Sequence, residues 1–266
     1  MLTLIQAADD GEFGRKVTKA RNHQNPVQTA NFASLDETQE RLRQEIAHLD
    51  LDYQYRPETT PGTGAKIVII SEAIRALALR QNDPRYVAWL KSEPARLTDP
   101  ESAEYRTLFP VTLPGVVLVN TVLCDRVVRE FIAGYDRRTR TGSKEKLIYR
   151  HGAFAIAATI IKRLRDRIEA ATVIDAATLP ALISRPLDEL RQQAADIGQQ
   201  RLASDGPLAY FRNQGNVVAF LVDLMEMHFG LSNDPAVAAL RNVRVAGEAY
   251  PRKGLMDYLA GHAPQL

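Results

Sequence analysis

"DYQYRPETTPGTGAKIVIISEAIRALALRQNDP", residues 52–84, decides the fold. Two short runs, "DYQYR" and "AKIVIIS", are rich in Tyr, Ile and Val and read as strands, because aromatic and β-branched side chains suit a pleated, half-buried surface. Between them "PETTPGTG", residues 57–64, reads as a flexible hairpin connection. Directly after the second run the apolar period changes. Ile74, Leu77 and Ala78 recur at helical spacing behind Ser71, which reads as the cap, so a helix follows.

Toward the N-terminus, "LTLIQ" (2–6) alternates as a strand. Asp9-Asp10 offer a cap to a helix over 11–21 carrying Phe13, Val17 and Ala20, which runs out in Asn22–Pro26 because a residue before proline leaves the helical region. "SLDE" is a capping box, Ser34 with Glu37, for a helix with Leu35, Leu42, Ile46 and Leu49 on one face. Toward the C-terminus, Asp83-Pro84 and Asp99-Pro100 each place a cap before a proline at a first helical position. Beyond Pro114 every segment reads as helix. Phe154, Ala157, Ile161, Leu164 and Ile168 step by three and four, as do Val217, Leu221, Leu224 and His228; "PLDELRQQAADIGQQ" starts a helix at Pro186, and Asn233-Asp234-Pro235 starts the last one. The fold class is therefore α+β, predominantly helical: a small β part near the N-terminus, residues 1–112, then an all-helical part, residues 115–266, with "DRRTRTGSKEK" (136–146) as an internal linker. The two parts are compatible with packing as one domain. A strand at residues 2–6 predicts either a missing N-terminal portion or a partner strand from another chain.

Composition narrows the function classes. The chain has 266 residues, 45% hydrophobic and 25% charged, with a net charge of +2, so nucleic-acid binding would need local clustering of cations. Its single cysteine, Cys124, excludes an internal disulfide framework, fits a reducing, cytoplasmic setting, and sits in "VVLVNTVLCD" as a core residue would. No apolar run is long enough to span a bilayer, so no membrane partner is expected. "PGTGAK" lacks the glycine spacing and Ser/Thr of a phosphate loop. His23 and His48 lack metal-ligand spacing, so no metal or other cofactor is expected; His228 falls on an apolar helical face, as a satisfied core histidine would.

"FGRKVTKARNHQNPVQTANFASLDETQERLRQEI" carries a resemblance. Val17, Thr18, Ala20, Asn22, Gln24, Asn25, Pro26, Val27, Phe32, Ser34, Asp36 and Gln39 match the central motif of the abortive-infection phage-resistance (AIPR) family, with Asn31 where that family tends to have aspartate. The resemblance covers about residues 1–110. It implies a role in bacterial antiphage defence. Relatives usually carry a further N-terminal part, nuclease-like in many, so this chain looks like the C-terminal portion or a shortened version.

Three groups of residues are candidate ligand contacts. The amides Asn22, Gln24 and Asn25 either tie their own turn to neighbouring backbone or face outward and read a base, as carboxamides do with adenine. Arg15 and Lys19 share a face of the preceding helix, where they either hold phosphates or stay solvated. Arg137, Arg138, Arg140, Lys144, Lys146 and Arg150 form the strongest basic cluster, followed by Lys162, Arg163, Arg165 and Arg167 on a helix; they either track a nucleic-acid backbone or form a solvated face, as the interspersed Glu145, Asp166 and Glu169 favour. "EYR" and "DLMEMH" supply carboxylates without a nuclease pattern. The leading expectation is a non-catalytic domain that senses or holds nucleic acid or assembles with an effector. Alternatives are a structural or homodimerising module that completes a separate N-terminal chain and, behind it, a nuclease.

Overall fold

The computed structural model describes residues 37–56, 64–138, 143–202, 206–243 and 245–266. The strand expected at 2–6, the helix at 11–21, the amide-rich turn and the Ser34 cap lie outside the described residues. The first described element is α1 (Glu37–Ala47), which buries Gln39, Leu42 and Ile46 at spacings of three and four. Asp50, at φ 59°, turns the chain into β1 (Asp52–Gln54). Asp tolerates that left-handed conformation because its short polar side chain bonds locally. β2 (Ile67–Ile69) runs directly into α2 (Ile70–Arg80).

The strands correct the hairpin reading. They pair in parallel, Asp52 with Ile67, Tyr53 with Val68 and Gln54 with Ile69. A hairpin would make them antiparallel, whereas residues 55–66 provide the roughly dozen residues that a crossover between parallel strands needs. Tyr53 and Val68 are both buried, as they would be on the covered face of a parallel pair.

Helices make up the rest of the described chain: α3 (Arg85–Ser92), α4 (Ala95–Thr98), α5 (Ala103–Leu108), α6 (Gly115–Arg138), α7 (Lys144–His151), α8 (Ala153–Arg163), α9 (Arg165–Ile168), α10 (Leu179–Arg201), α11 (Pro207–Tyr210), α12 (Gln214–His228), α13 (Pro235–Asn242) and α14 (Lys253–Gly261). The predominantly helical α+β class is as the sequence predicts. Local starts are partly so. Asp83 accepts from Arg85 N at 2.9 Å and Asp234 from Ala236 N at 2.8 Å, both capping as expected. Ser71 lies inside the first turn of α2, whose cap position is Ile69, because the strand passes into the helix without a break. Asp99 closes a turn, and Ser102 caps α5 by accepting from Tyr105 N. Helix α10 begins at Leu179, upstream of Pro186, which stays buried within it. Helix α14 follows the one expected to be last; its N-cap is Arg252 at φ 57°, a position no residue type announces.

One hydrophobic cluster includes side chains from Leu42 to Ala263. Its axis is α6, whose first half is buried nearly all round, Val117, Leu118, Val119, Val122, Cys124 and Val128 among others. Cys124 is fully buried and its thiol is pushed up to about 12 by burial, the state of a core residue. Helix α6 packs on α1, α2, α7, α8, α9 and α10. At its start Gly115 N donates to Glu45 Oε2 at 2.7 Å, and a Cβ on Gly115 would lie 2.9 Å from that of Glu45, so glycine permits the close approach of α1.

Polar side chains inside this core fix the register of its layers. Gln39, fully buried, accepts from Tyr53 Oη at 2.6 Å and donates to Tyr105 Oη at 2.8 Å, joining α1, β1 and α5. Asn120 on α6 accepts from Ile174 N at 2.9 Å and donates to Thr172 O at 3.0 Å and Ile168 O at 3.2 Å, organising the α9–α10 connection. Asp125, also fully buried, lies 3.1 Å from Arg75 Nε and 3.2 Å from Arg129 Nε. Glu72 pairs with Arg129 and Arg126, and Arg126 also donates to the carbonyls of Ala65 and Ile67. Burial pushes the Asp125 carboxyl above its usual range, against the pull of both guanidiniums. Burial acts the same way on Glu72, but hydrogen bonds from Arg126 and Arg129 outweigh it and hold that carboxyl below.

Gln39→Ala removes the amide that accepts from Tyr53 and donates to Tyr105, and is expected to cost about 2 kcal/mol in urea unfolding. Asp125→Ala leaves Arg75 without its counter-charge and is expected to cost about 3 kcal/mol or more. A loss under about 0.5 kcal/mol in either variant, the size of an ordinary surface change, contradicts the assigned role.

Candidate functional site

Arg15, Lys19, Asn22, Gln24, Asn25 and Arg140 lie outside the described residues, so the structure brings none of them to a site. Arg137 and Arg138 stand exposed in the last turn of α6 and have no carboxylate partner among the described residues. The remaining cations of that cluster disperse. Lys144 Nζ donates to Leu202 O at 3.2 Å, and Lys146 lies 3.7 Å from Asp136. The basic helix that follows is no open row either. Lys162 is buried, Arg163 Nε donates to Pro264 O at 2.9 Å, Arg165 Nη1 to Ala260 O at 3.1 Å and Arg167 Nε to Leu266 O at 2.6 Å. The three arginines hold the end of α14 and the segment after it against the end of α8 and α9.

Arg150 has a different fate. It sits beside His151 at the end of α7, where cations complement the partial negative charge of a helix C-terminus. Lys91 comes to the same place from the last turn of α3, and Arg212 from the connection between α11 and α12. Lys91 Nζ lies 3.4 Å from His151 Nδ1; an ammonium only donates, so that nitrogen accepts. Burial lowers the pKa of Lys91, and Arg212 lowers it further. Burial lowers that of His151, with Lys91, Arg150 and Arg212 adding to it. No carboxylate offsets the repulsion at either group. Glu93, two residues from Lys91, is engaged by Arg96 and Gln214. The result is a cluster of four basic side chains from three segments, with Lys91, Arg150 and Arg212 exposed and no acidic partner among the described residues. Sequence reading reached Arg150 as part of the cluster, because Lys91 and Arg212 lie far from it and its neighbour His151 in the chain and meet them only through packing.

A cleft of about 710 Å³ opens elsewhere, between the ends of α2 and α3 on one side and α9 and α14 on the other. Lys162 lies at its floor, only 6% exposed, donating from Nζ to Asn82 Oδ1 at 2.7 Å and to the Arg80 carbonyl that ends α2. Asn82 Nδ2 in turn donates to Asp257 Oδ1 at 2.9 Å, where Tyr250 Oη also donates, at 2.6 Å. Burial depresses the Lys162 amine to about 7; Arg80 and Arg165 push the same way and Asp257 and Glu169 oppose.

The carboxylates of "EYR" and "DLMEMH" are engaged. Glu104 lies 3.2 Å from Arg96, Asp223 pairs with Arg201 and Arg241, and Glu226 with Arg241 at 2.5 Å. Among the described residues no three His, Cys, Asp or Glu side chains converge to hold a metal ion, and no helix is long and apolar enough to cross a membrane. His228 is buried with both nitrogens bonded: Arg163 Nη1 donates to Nε2 and Nδ1 donates to Gln193 Oε1, each at 2.9 Å. It is the satisfied core histidine that its helical face predicts.

Comparison with known proteins adds the family. A family model described as AIPR protein matches residues 1–201, so the chain belongs to the AIPR family. The match runs past the stretch near residue 110 to the end of α10. Membership suggests a role in antiphage defence by abortive infection. No curated protein and no solved structure matches the chain.

Burial lowers the His228 pKa to about 4 against an ordinary 6.5, and the Arg163 charge adds to the shift. The native state therefore holds the ring neutral where the unfolded chain protonates it. Its contribution to stability is complete above pH 6.5 and is lost as pH falls from 6.5 toward 4. Urea unfolding across that window is expected to show a shallower acid loss in His228→Gln than in the wild type; equal slopes contradict the assignment.

Proposed function

We propose that this chain is a non-catalytic domain of an antiphage-defence protein that holds nucleic acid by its phosphodiester backbone. The observation that carries the reading is the cluster of Lys91, Arg150, His151 and Arg212, which repel one another and meet no carboxylate among the described residues. Helix-end placement and the Lys91–His151 contact offset only part of this repulsion, and a polyanion relieves the rest while releasing its own counterions. Arg137 and Arg138 add exposed charge at the end of α6. On sequence grounds Arg15, Lys19, Asn22, Gln24, Asn25 and Arg140 belong to the same proposal, the amides as readers of bases and the cations as phosphate contacts. The non-catalytic part of the reading is supported by the engagement of the candidate carboxylates with arginines.

Fluorescence anisotropy of labelled single- and double-stranded oligonucleotides over a salt series tests it. Each phosphate contact is expected to add roughly 0.7–0.9 to the slope of log affinity against log salt. The triple variant K91E/R150E/R212E is expected to lose about tenfold or more in affinity and to flatten that slope. Absent binding at low salt, or an unchanged slope in a folded triple variant, overturns the proposal.

A further inference from the structure

We propose that the cleft between α2–α3 and α9–α14 binds a small ligand through one anionic group, a phosphate or a carboxylate, seated on Lys162. The site is separate from the basic cluster and does not depend on it. Its volume of about 710 Å³ falls in the range of small-molecule sites, roughly 300–1,000 Å³, and exceeds what a bare ion fills.

The charges around the cleft leave one vacancy. Arg80 lies 3.1 Å from Glu169, and Arg85 holds Asp83 at 2.7 Å. Arg165 pairs with Asp166 at 3.5 Å. Asp257 accepts from Asn82 and Tyr250 and pairs with Lys253. Lys162 alone has only neutral acceptors among the described residues, a backbone carbonyl and an amide oxygen. An ammonium carries three donors, so one N–H remains. Asn82 stands between Lys162 and Asp257 and binds both, which keeps that carboxylate from pairing with the amine. Burying a cation without a counter-charge is costly. A methionine could fill such a place without that cost. An entering anion supplies the missing partner, with Arg80 and Arg165 flanking it and Asp257 and Glu169 too engaged to compete. The depressed amine agrees with an unoccupied counter-charge position, and anion binding restores its proton.

Isothermal titration calorimetry of the full chain at pH 7 tests this with four probes: inorganic phosphate, adenosine monophosphate, benzoate and adenosine. At least one anion is expected to bind while adenosine does not, and the phosphate and carboxylate arms tell the two ligand chemistries apart. Lys162→Met is expected to weaken that binding about tenfold or more, the loss typical of a charge-assisted contact. Repeating the titration in buffers of different ionisation enthalpy is expected to show proton uptake that Lys162→Met abolishes, a readout no structural role of Lys162 would give. Arg165→Gln, at the half-exposed rim, is expected to weaken binding to a lesser degree and serves if Lys162→Met does not fold. K91E/R150E/R212E is expected to bind the small anion as the wild type does, which separates this site from the basic cluster. The proposal is overturned if none of the three anions binds, or if the folded Lys162→Met or Arg165→Gln variant binds like the wild type.

Discussion

Six helices of the described structure pack on α6, and α6 carries a carboxyl group in its interior. Asp125 is fully buried one helical turn from Arg129 and against Arg75 of α2. A buried carboxylate is tolerable only with its partners in place, so α2 and α6 have a single admissible register. Glu72 and Arg126 extend the constraint to the carbonyls flanking β2, which ties the two-stranded sheet to the same helix pair.

The same economy governs the basic side chains. A chain with 34 basic and 32 acidic residues has little excess charge. Arg163, Arg165 and Arg167 fasten residues 260–266, and others pair with acids within a helix, as Arg41 does, or across helices, as Arg75, Arg126 and Arg241 do. Against that background, and besides Arg137 and Arg138 at the end of α6, two sets of cations without an acidic partner among the described residues stand out: Lys91, Arg150 and Arg212 at the surface, Lys162 beneath a cleft. The first set is multivalent and open, suited to a polymer backbone. The second is a single enclosed donor, suited to a small ligand. Helix α3 lies between the two, with Lys91 in its last turn and Asp83 of the cleft just before its start.

The family resemblance in the sequence rests on a motif ending in Gln39, and the structure gives that residue a physical task. Its amide bridges Tyr53 and Tyr105, elements far apart in sequence. Amides tying backbone and loops together is the role the sequence raised for Asn22, Gln24 and Asn25. Within the described residues Asn120 and Gln265 tie backbone in this way, and Gln39 ties two tyrosines. Nothing local marks Asn120, which lies in the middle of an apolar helix.

The sequence by itself determined what depends on neighbours a few residues away: the helical stripes of α1, α8 and α12, the caps at Asp83 and Asp234, the core settings of Cys124 and His228, and the AIPR motif. It missed the parallel pairing of β1 and β2, because strand direction follows from where the rest of the chain lets the crossover run. It missed the upstream turns of α10 and the whole of α14, whose start uses no capping residue. Above all, it could not sort cations into fastened and unfastened. That sorting depends on which carbonyl or carboxylate a side chain meets across the fold, so only tertiary packing separated Arg167 from Arg150 and gave Lys162 a buried place without a counter-charge.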